Sequence, residues 1–252
     1  HASYLEHLRR EPGDCETLLD LGNLLIEMDQ FAEAAEKFRR VIELDPTNAD
    51  GHFCLGQLAL LTDRVAAARR SFQVALQVRP DRPEVHQKLA WIALREGRDD
   101  SARDHLRAEL AIESPERCAA SLEELGRLLL DADMPQQAAE VFAQLVESNP
   151  SDAGTAHHLG VSLLLSGQVQ RGMRQCRRAV QLDGEMVLAM HNLTLANIQL
   201  GNLRRASYWL KRARKIDRRD RRLAALHRKL HAIVLGRSLA SWLGVRSRRP
   251  NP

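Results

Sequence analysis

The strongest constraint on this chain is a self-similarity at an interval of 34 residues. A small residue at Gly22 returns at Gly56, Ala90, Gly126, Gly160 and, less well, at Thr194. In step with it run Ala34, Ala68, Ala102, Ala138, Gly172 and Ala206, and then Phe38, Phe72, Leu106, Phe142, Cys176 and Leu210. The phase is kept apart from two extra residues near Arg117 and Cys118. Pro46, Pro80 and Pro150 close three units in register, Pro115 stands one place late, and Gly184 and Arg218 take that place in the last two. A period of this length over about 206 residues marks a repeat architecture whose units are single supersecondary elements.

Each unit predicts two helices of about a dozen residues, because apolar residues fall at i, i+3, i+4 and i+7. In the first unit these are Leu18, Leu21 and Leu25, followed by Ala34, Ala35, Phe38, Val41 and Ile42. The recurrent Gly or Ala lets the two helices approach, and the aromatic fills the gap beside them. A lone helix pair cannot bury such a face, so stability has to come from stacking neighbours into a continuous core.

The stretch from Asp20 to Pro46, with Leu21-Gly22, Ala34, Phe38 and Pro46 at repeat positions 7–8, 20, 24 and 32, resembles a tetratricopeptide repeat (TPR) with position 1 at Cys15. The resemblance implies an all-α fold: a right-handed α-solenoid of about six TPR helix hairpins, with an N-terminal half-repeat helix and a C-terminal capping helix. The repeats would occupy 15–48, 49–82, 83–116, 119–152, 153–186 and 187–220. Residues 1–14 then read as the second helix of a truncated or half repeat, with Tyr4, Leu8 and Pro12 at positions 24, 28 and 32, and further repeats upstream are expected. Residues 221–252 read as a capping helix and a basic C-terminal tail.

Departures from the pattern are local. Glu109 takes a normally apolar place in the third repeat, and the late Pro115 with the insertion predicts a change of pitch there. Gly172, Cys176 and Thr194 stand at packing positions of the fifth and sixth repeats and predict lower local stability. After Asp220 the period stops. Leu223, Leu226, Leu230, Ile233 and Val234 then form an apolar stripe, on one long helix or on two short ones divided near Gly236. Such a stripe would cover the end of the sixth repeat, as terminal elements of repeat arrays do.

The net charge of +4 conceals an asymmetry. Residues 201–252 hold 16 Lys or Arg against two acids, Asp217 and Asp220, which leaves 21 basic and 31 acidic residues, or −10, in 1–200. The basic end, with Arg237, Arg246, Arg248 and Arg249 in its tail, should attract an anionic partner over about a Debye length, ~8 Å at physiological salt. Trp242 and Leu243 beside those arginines suit docking to a partner or to an anionic membrane surface. Opposed end charges also permit self-association.

No run of about 20 apolar residues suits a membrane span, and the start of the chain has no apolar stretch of the signal-peptide kind. Cys15, Cys54, Cys118 and Cys176 are far apart and lack the spacing of a zinc site. They read as free thiols of a reducing compartment, which makes a cytoplasmic location the expectation.

In TPR proteins the first helix of each repeat lines a concave groove. Carried over position by position, the resemblance implies a partner-binding groove made by Asn23, Glu27, Phe53, Gln57, Gln87, Lys88, Trp91 and Arg95. It continues through Glu124, Arg127, His157, His158, His191 and Asn192, with Asp20, Asp50, Glu123, Asp131 and Gln199 alongside. Trp91 is the expected anchor for a protein or extended peptide, with packing between repeats as its alternative role. The Lys and Asn set of chaperone-tail binders is broken by Leu19, Cys54 and Glu84, and the Asn ladder at position 6 of the glycosyltransferase type is replaced by Asp20, Cys54, Lys88, Glu124, His158 and Asn192.

Residues for catalysis, metal or cofactor are not expected. His227 and His231 lie four apart, but no Glu follows His227 as a zinc-protease motif requires, and no third ligand is evident. The leading expectation is a non-enzymatic adaptor or scaffold that holds a partner and helps assemble a multiprotein complex. The alternatives are the recognition region of a larger enzyme, such as a glycosyltransferase, and a module whose basic tail binds nucleic acid or anionic membrane. Nucleic acid is the least favoured of these partners.

Overall fold

A computed structural model describes residues 2–113 and 117–242, which form 14 helices and no strand. The chain divides into two compact units, His1–Ser121 and Leu122–Pro252.

In the first unit, α1 (Ala2–Arg10) packs on α2 (Cys15–Glu27), which pairs with α3 (Phe31–Leu44). Further pairs follow, α4 (Ala49–Leu61) with α5 (Val65–Val78) and α6 (Val85–Arg95) with α7 (Asp99–Ala111). In addition α3 touches α4 and α5 touches α6, so one core runs from Leu21 through Phe38, Phe53 and Phe72 to Ile92. The second unit contains most of α8 (Ala119–Asp131), then α9 (Pro135–Ser148), α10 (Ala153–Leu165), α11 (Val169–Leu182), α12 (Val187–Gln199), α13 (Leu203–Ile216) and α14 (Arg221–Trp242). Its core links Ala156, Cys176, Met190, Leu193 and Leu210 to Leu223, Leu226 and Leu230 of α14. The fold is therefore all-α and of the solenoid class.

The repeated small residue has a steric cause. A methyl group built on Gly22, Gly56 or Gly126 would stand 2.3, 2.5 or 2.7 Å from the ring of Phe38, Phe72 or Phe142. Where the aromatic is absent the partner changes with it: Ala90 goes with Leu106, and Gly160 with Cys176. At α10 and α11 a methyl group on Gly172 would lie 2.8 Å from the Gly160 carbonyl oxygen, so the two backbones nearly touch. The small residues that made this repeat look weak go with a closer helix approach and leave Cys176 fully buried.

The turns inside the hairpins share one conformation. Asp29, Asp63, Gly97, Asp133, Gly167 and Gly201 all stand at position 15 and all have φ between 54° and 81°. A left-handed residue ends a helix and reverses the chain, and Gly takes it without the steric cost other residues bear. Helix starts are capped from the sequence as well. Asp14, Asn48 and Asp152 accept backbone N–H groups one turn into α2, α4 and α10, satisfying donors that would otherwise lack partners.

The apolar stripe after Asp220 lies on a single helix that continues through Gly236. Pro115, Arg246, Arg248 and Arg249 lie outside the described residues, and of Arg237 only the helical backbone falls within them.

Candidate functional site

The first helices of the hairpins carry every residue expected in the groove, and the structure divides those residues into exposed, half-buried and buried groups. In the first unit Asn23, Glu27 and Arg95 are exposed, and Gln57, Lys88 and Trp91 are half-buried. Phe53 is not offered to solvent: the Arg82 guanidinium lies 3.4 Å above its ring, Phe72 packs beside it, and Asp50 binds Arg82 at 2.9 Å. Burial pushes the Arg82 pKa down against the pull of Asp50, and the ion is kept because both its charge and its plane are partnered. Gln87 is also fully buried, with its amide donating to the Ser121 carbonyl at 3.3 Å. Phe53 and Gln87 are therefore structural residues in this arrangement. A buried face at position 5 is the reason, since that position turns inward wherever the neighbouring helix covers it.

Trp91 sits between the two expected roles. One side packs on the core cluster of the first unit, and the Arg95 guanidinium lies 5.3 Å from the ring centroid. Arg95 in turn pairs with Asp63, in the turn of the preceding hairpin, at 3.0 Å. The outer part of the indole remains accessible beside an ion pair that is itself exposed.

In the second unit Arg127 is exposed and bound to Glu123 at 3.3 Å, while Glu124, His158, His191 and Asn192 are half-buried. His157 is buried and accepts from the Asn192 amide at 3.1 Å, tying α10 to α12. Burial and the adjacent His158 hold its pKa down at about 4. The His158 ring stacks on Phe142 at 5.1 Å, and burial lowers its pKa as well. Both imidazoles are therefore neutral near pH 7.

Sequence reasoning missed the apolar part of this face. Position 12 is Ile26, Leu60, Leu94, Leu130, Leu164 and Ile198, aliphatic in every hairpin and half-buried in every one. Beside it position 13 is always exposed, and includes Leu61 at 60% and Leu165 at 64%. The constancy of position 12 was visible in the chain, but it reads equally well as core until burial is known. Position 13 also carries the charged residues Glu27 and Arg95 in the first unit and Asp131 in the second.

No described group of three or more His, Cys, Asp or Glu residues is placed to hold a metal ion. Burial raises the Cys54 thiol to about 11 and the Cys176 thiol to about 12, so neither is a ready nucleophile. Among the described residues, no helix is long and apolar enough to cross a membrane.

A stack of helix hairpins with a small-to-aromatic contact inside three of the six pairs, a left-handed turn at a fixed position and a half-buried aliphatic row on the first helices defines an α-helical repeat protein of the interaction-scaffold class. Two family models, both described as tetratricopeptide repeat, match residues 25–92 and 123–187. The chain belongs to the tetratricopeptide repeat family. No curated protein matches its sequence. Solved structures share the fold at low identity. PilF of Pseudomonas aeruginosa is 17% identical with a TM-score of 0.62, over 85% of this chain and 97% of that one. PilW, described as a widely conserved type IV pilus biogenesis factor, is 14% identical with a TM-score of 0.60, over 84% and 97%. YrrB, described as a TPR protein with an unusual peptide-binding site, is 18% identical with a TM-score of 0.55, over 75% and 96%.

Proposed function

We propose that this chain is a non-catalytic scaffold that holds an extended peptide segment of a partner protein along the first helices of its hairpins and so helps to assemble a complex. One observation carries the reading: the half-buried aliphatic row at position 12, flanked by the exposed side chains of position 13 and by position 9, where Asn23 and Arg127 are exposed and Gln57 and Trp91 half-buried. These side chains pack on the core with one side, as Ile26, Leu60, Leu164 and Ile198 do, and keep another side open, which gives apolar side chains of a guest a surface to cover. The flanking groups can satisfy the guest's backbone and polar side chains.

In the first unit the contacts would come from Asn23, Glu27, Gln57, Leu61, Lys88, Trp91 and Arg95, with Trp91 as the anchor. Truncating an anchor of that type costs about 2 kcal/mol or more. In the second unit they would come from Glu124, Arg127, His158, Leu165, His191 and Asn192. The mixture of Glu27, Leu61 and Arg95 fits a polar peptide with spaced apolar side chains better than a strongly charged one. A fold shared with YrrB supports peptide binding as a use of this architecture.

The test is selection of peptides from a displayed random library on the wild-type chain, followed by titration of the winners against Trp91→Ala, Leu61→Glu and Leu165→Glu. Selected peptides should lose about tenfold or more in affinity to at least one variant, with helical circular dichroism unchanged. Winners that bind all three variants as tightly as wild type, or a selection that yields none, would remove this face from consideration.

A further inference from the structure

A second surface, independent of the peptide face, lies between α13 and α14, where a cleft of about 600 Å³ opens. Its floor is apolar, made by Leu210, Leu230 and Val234. Its walls carry Lys211, Arg214, Lys215 and Arg218 from α13 and the residues just after it, and His227 and His231 from α14. Among the described residues no carboxylate lines it.

Comparison with the hairpins shows what this place is. On a first helix, positions 7, 8 and 11 face the helix that follows, as Leu21, Gly22 and Leu25 face Phe38. Position 3 faces the preceding helix, as Gly51 faces Val41 and Ile42. In α14 the preceding-helix side is apolar and buried at Leu223, Leu226 and Leu230. The other side carries His227, Arg228 and His231 at positions 7, 8 and 11, and all three are exposed. Position 28, where the second helices meet the next pair, changes in the same way: Ile42, Leu76, Leu110, Val146 and Val180 give way to Arg214. An ordinary repeat helix with an aromatic at position 24 cannot seat against Arg228, which occupies the place of a glycine.

The acids close in sequence do not line the cleft. Asp217 accepts the backbone N–H groups of Arg219 and Asp220, and Asp220 accepts those of Arg222 and Leu223, so both serve as caps. Residues 243–252 carry Arg246, Arg248 and Arg249 and no acid. Covering these cations without supplying anions would take away their water and give no counter-charge in return, so a guest must bring carboxylates.

We propose that the cleft between α13 and α14 receives an acidic amphipathic helix of a partner protein, seated where a further helix would continue the stack. Its carboxylates would meet Lys211, Arg214, Lys215 and Arg218, and its leucine-type side chains would cover the exposed Val234 and the aliphatic stems of the two lysines. The apolar floor favours such a helix over nucleic acid, since a phosphate backbone has nothing to place on it.

The probe is a fluorescein-labelled helical peptide with Glu on one face and Leu on the other, titrated into the whole chain at low and high salt. Saturable binding is expected, weakening about tenfold or more with added salt and in Lys211→Glu/Lys215→Glu, whose side chains are exposed and removable without unfolding. Replacing the peptide's Glu by Gln, or its Leu by Ser, should each weaken binding. Ser207→Trp, which fills the cleft, should block it while circular dichroism stays helical. No binding of the peptide, or binding unaffected by Ser207→Trp and by the double reversal, overturns the proposal. It is equally overturned if single-stranded RNA or phosphatidylserine vesicles bind through these lysines while the peptide does not. Sedimentation showing that a second copy of the chain occupies the cleft and excludes the peptide would overturn it too.

Discussion

The carboxylate of Glu109 in α7, fully buried, is bound to Arg117 at 2.7 Å while it also accepts the backbone N–H groups of Glu84 and Gln87 at the start of α6, at 2.9 and 3.3 Å. This explains why a carboxylate stands at a normally apolar place of the third repeat. Glu84 has φ of 71° and gives α6 no side-chain cap of its own, so the cap is supplied from α7. Negative charge at a helix start is favoured by the unpaired N–H groups and the helix dipole. Arg117, one of the residues around the insertion, closes the pair. Glu109→Ala would leave the Arg117 guanidinium buried without its anion, and about 3–5 kcal/mol of stability should be lost. Denaturant unfolding of the variant measures it, and a loss under 1 kcal/mol would show the pair to be incidental. Glu109→Leu with Arg117→Leu, which removes both charges, should recover part of the loss.

Packing between the helices of one hairpin gives a second expectation. Gly22→Ala places a methyl group against Phe38, and overpacking of this kind costs about 1–3 kcal/mol. Adding Phe38→Leu recreates the combination already used at Ala90 and Leu106 and should restore part of the stability. A double-mutant cycle by thermal melting checks the coupling; strict additivity would contradict the contact.

The hairpin turns allow a test of backbone conformation without packing. At Gly97 φ is 69° and a methyl group would meet nothing within 4 Å. Gly97→Ala should therefore cost about 1–2 kcal/mol from backbone strain alone. Gly97→Asn should cost less, because Asn tolerates that conformation better. Equal melting temperatures for wild type and the Ala variant would be inconsistent with this account.

Acid sensitivity should come from the second unit. The His157 pKa is depressed to about 4 by burial and by His158, while an unfolded His titrates near 6.5. Between those values the unfolded chain binds more protons than the folded one, so stability is complete above about pH 6.5 and falls as pH drops towards 4. The loss from this residue alone is at most about 3 kcal/mol. His86 and His105, whose Nδ1 atoms are 3.0 Å apart in the first unit, are depressed in the same direction by burial and add to the effect. Urea unfolding between pH 7 and 4.5 reads the slope, and His157→Gln should flatten it.

Much of the architecture could be read directly from the chain. Position 8, position 24 and the proline that closes a unit each reflect a local steric demand, and a demand repeated at a fixed interval is visible without coordinates. The left-handed turn at position 15 was equally local, with Asp or Gly in all six places, although its meaning needed the backbone angles. The face that would hold a guest was less legible. Family position alone put Phe53, Gln87 and His157 beside Glu27 and Arg95, and the structure covers the first three with Arg82, Ser121 and Asn192.

What the amino-acid sequence determined was the period, the helical class and the separation of charge along the chain, because these depend on residue type and spacing. What the tertiary structure decided was which polar and aromatic side chains are satisfied inside and which stay open. That depends on neighbours contributed from outside the helix concerned: Arg82 over Phe53, Asn192 on His157, and Arg117 with the start of α6 around Glu109. Burial is a property of the assembled stack, and no spacing rule within one helix contains it.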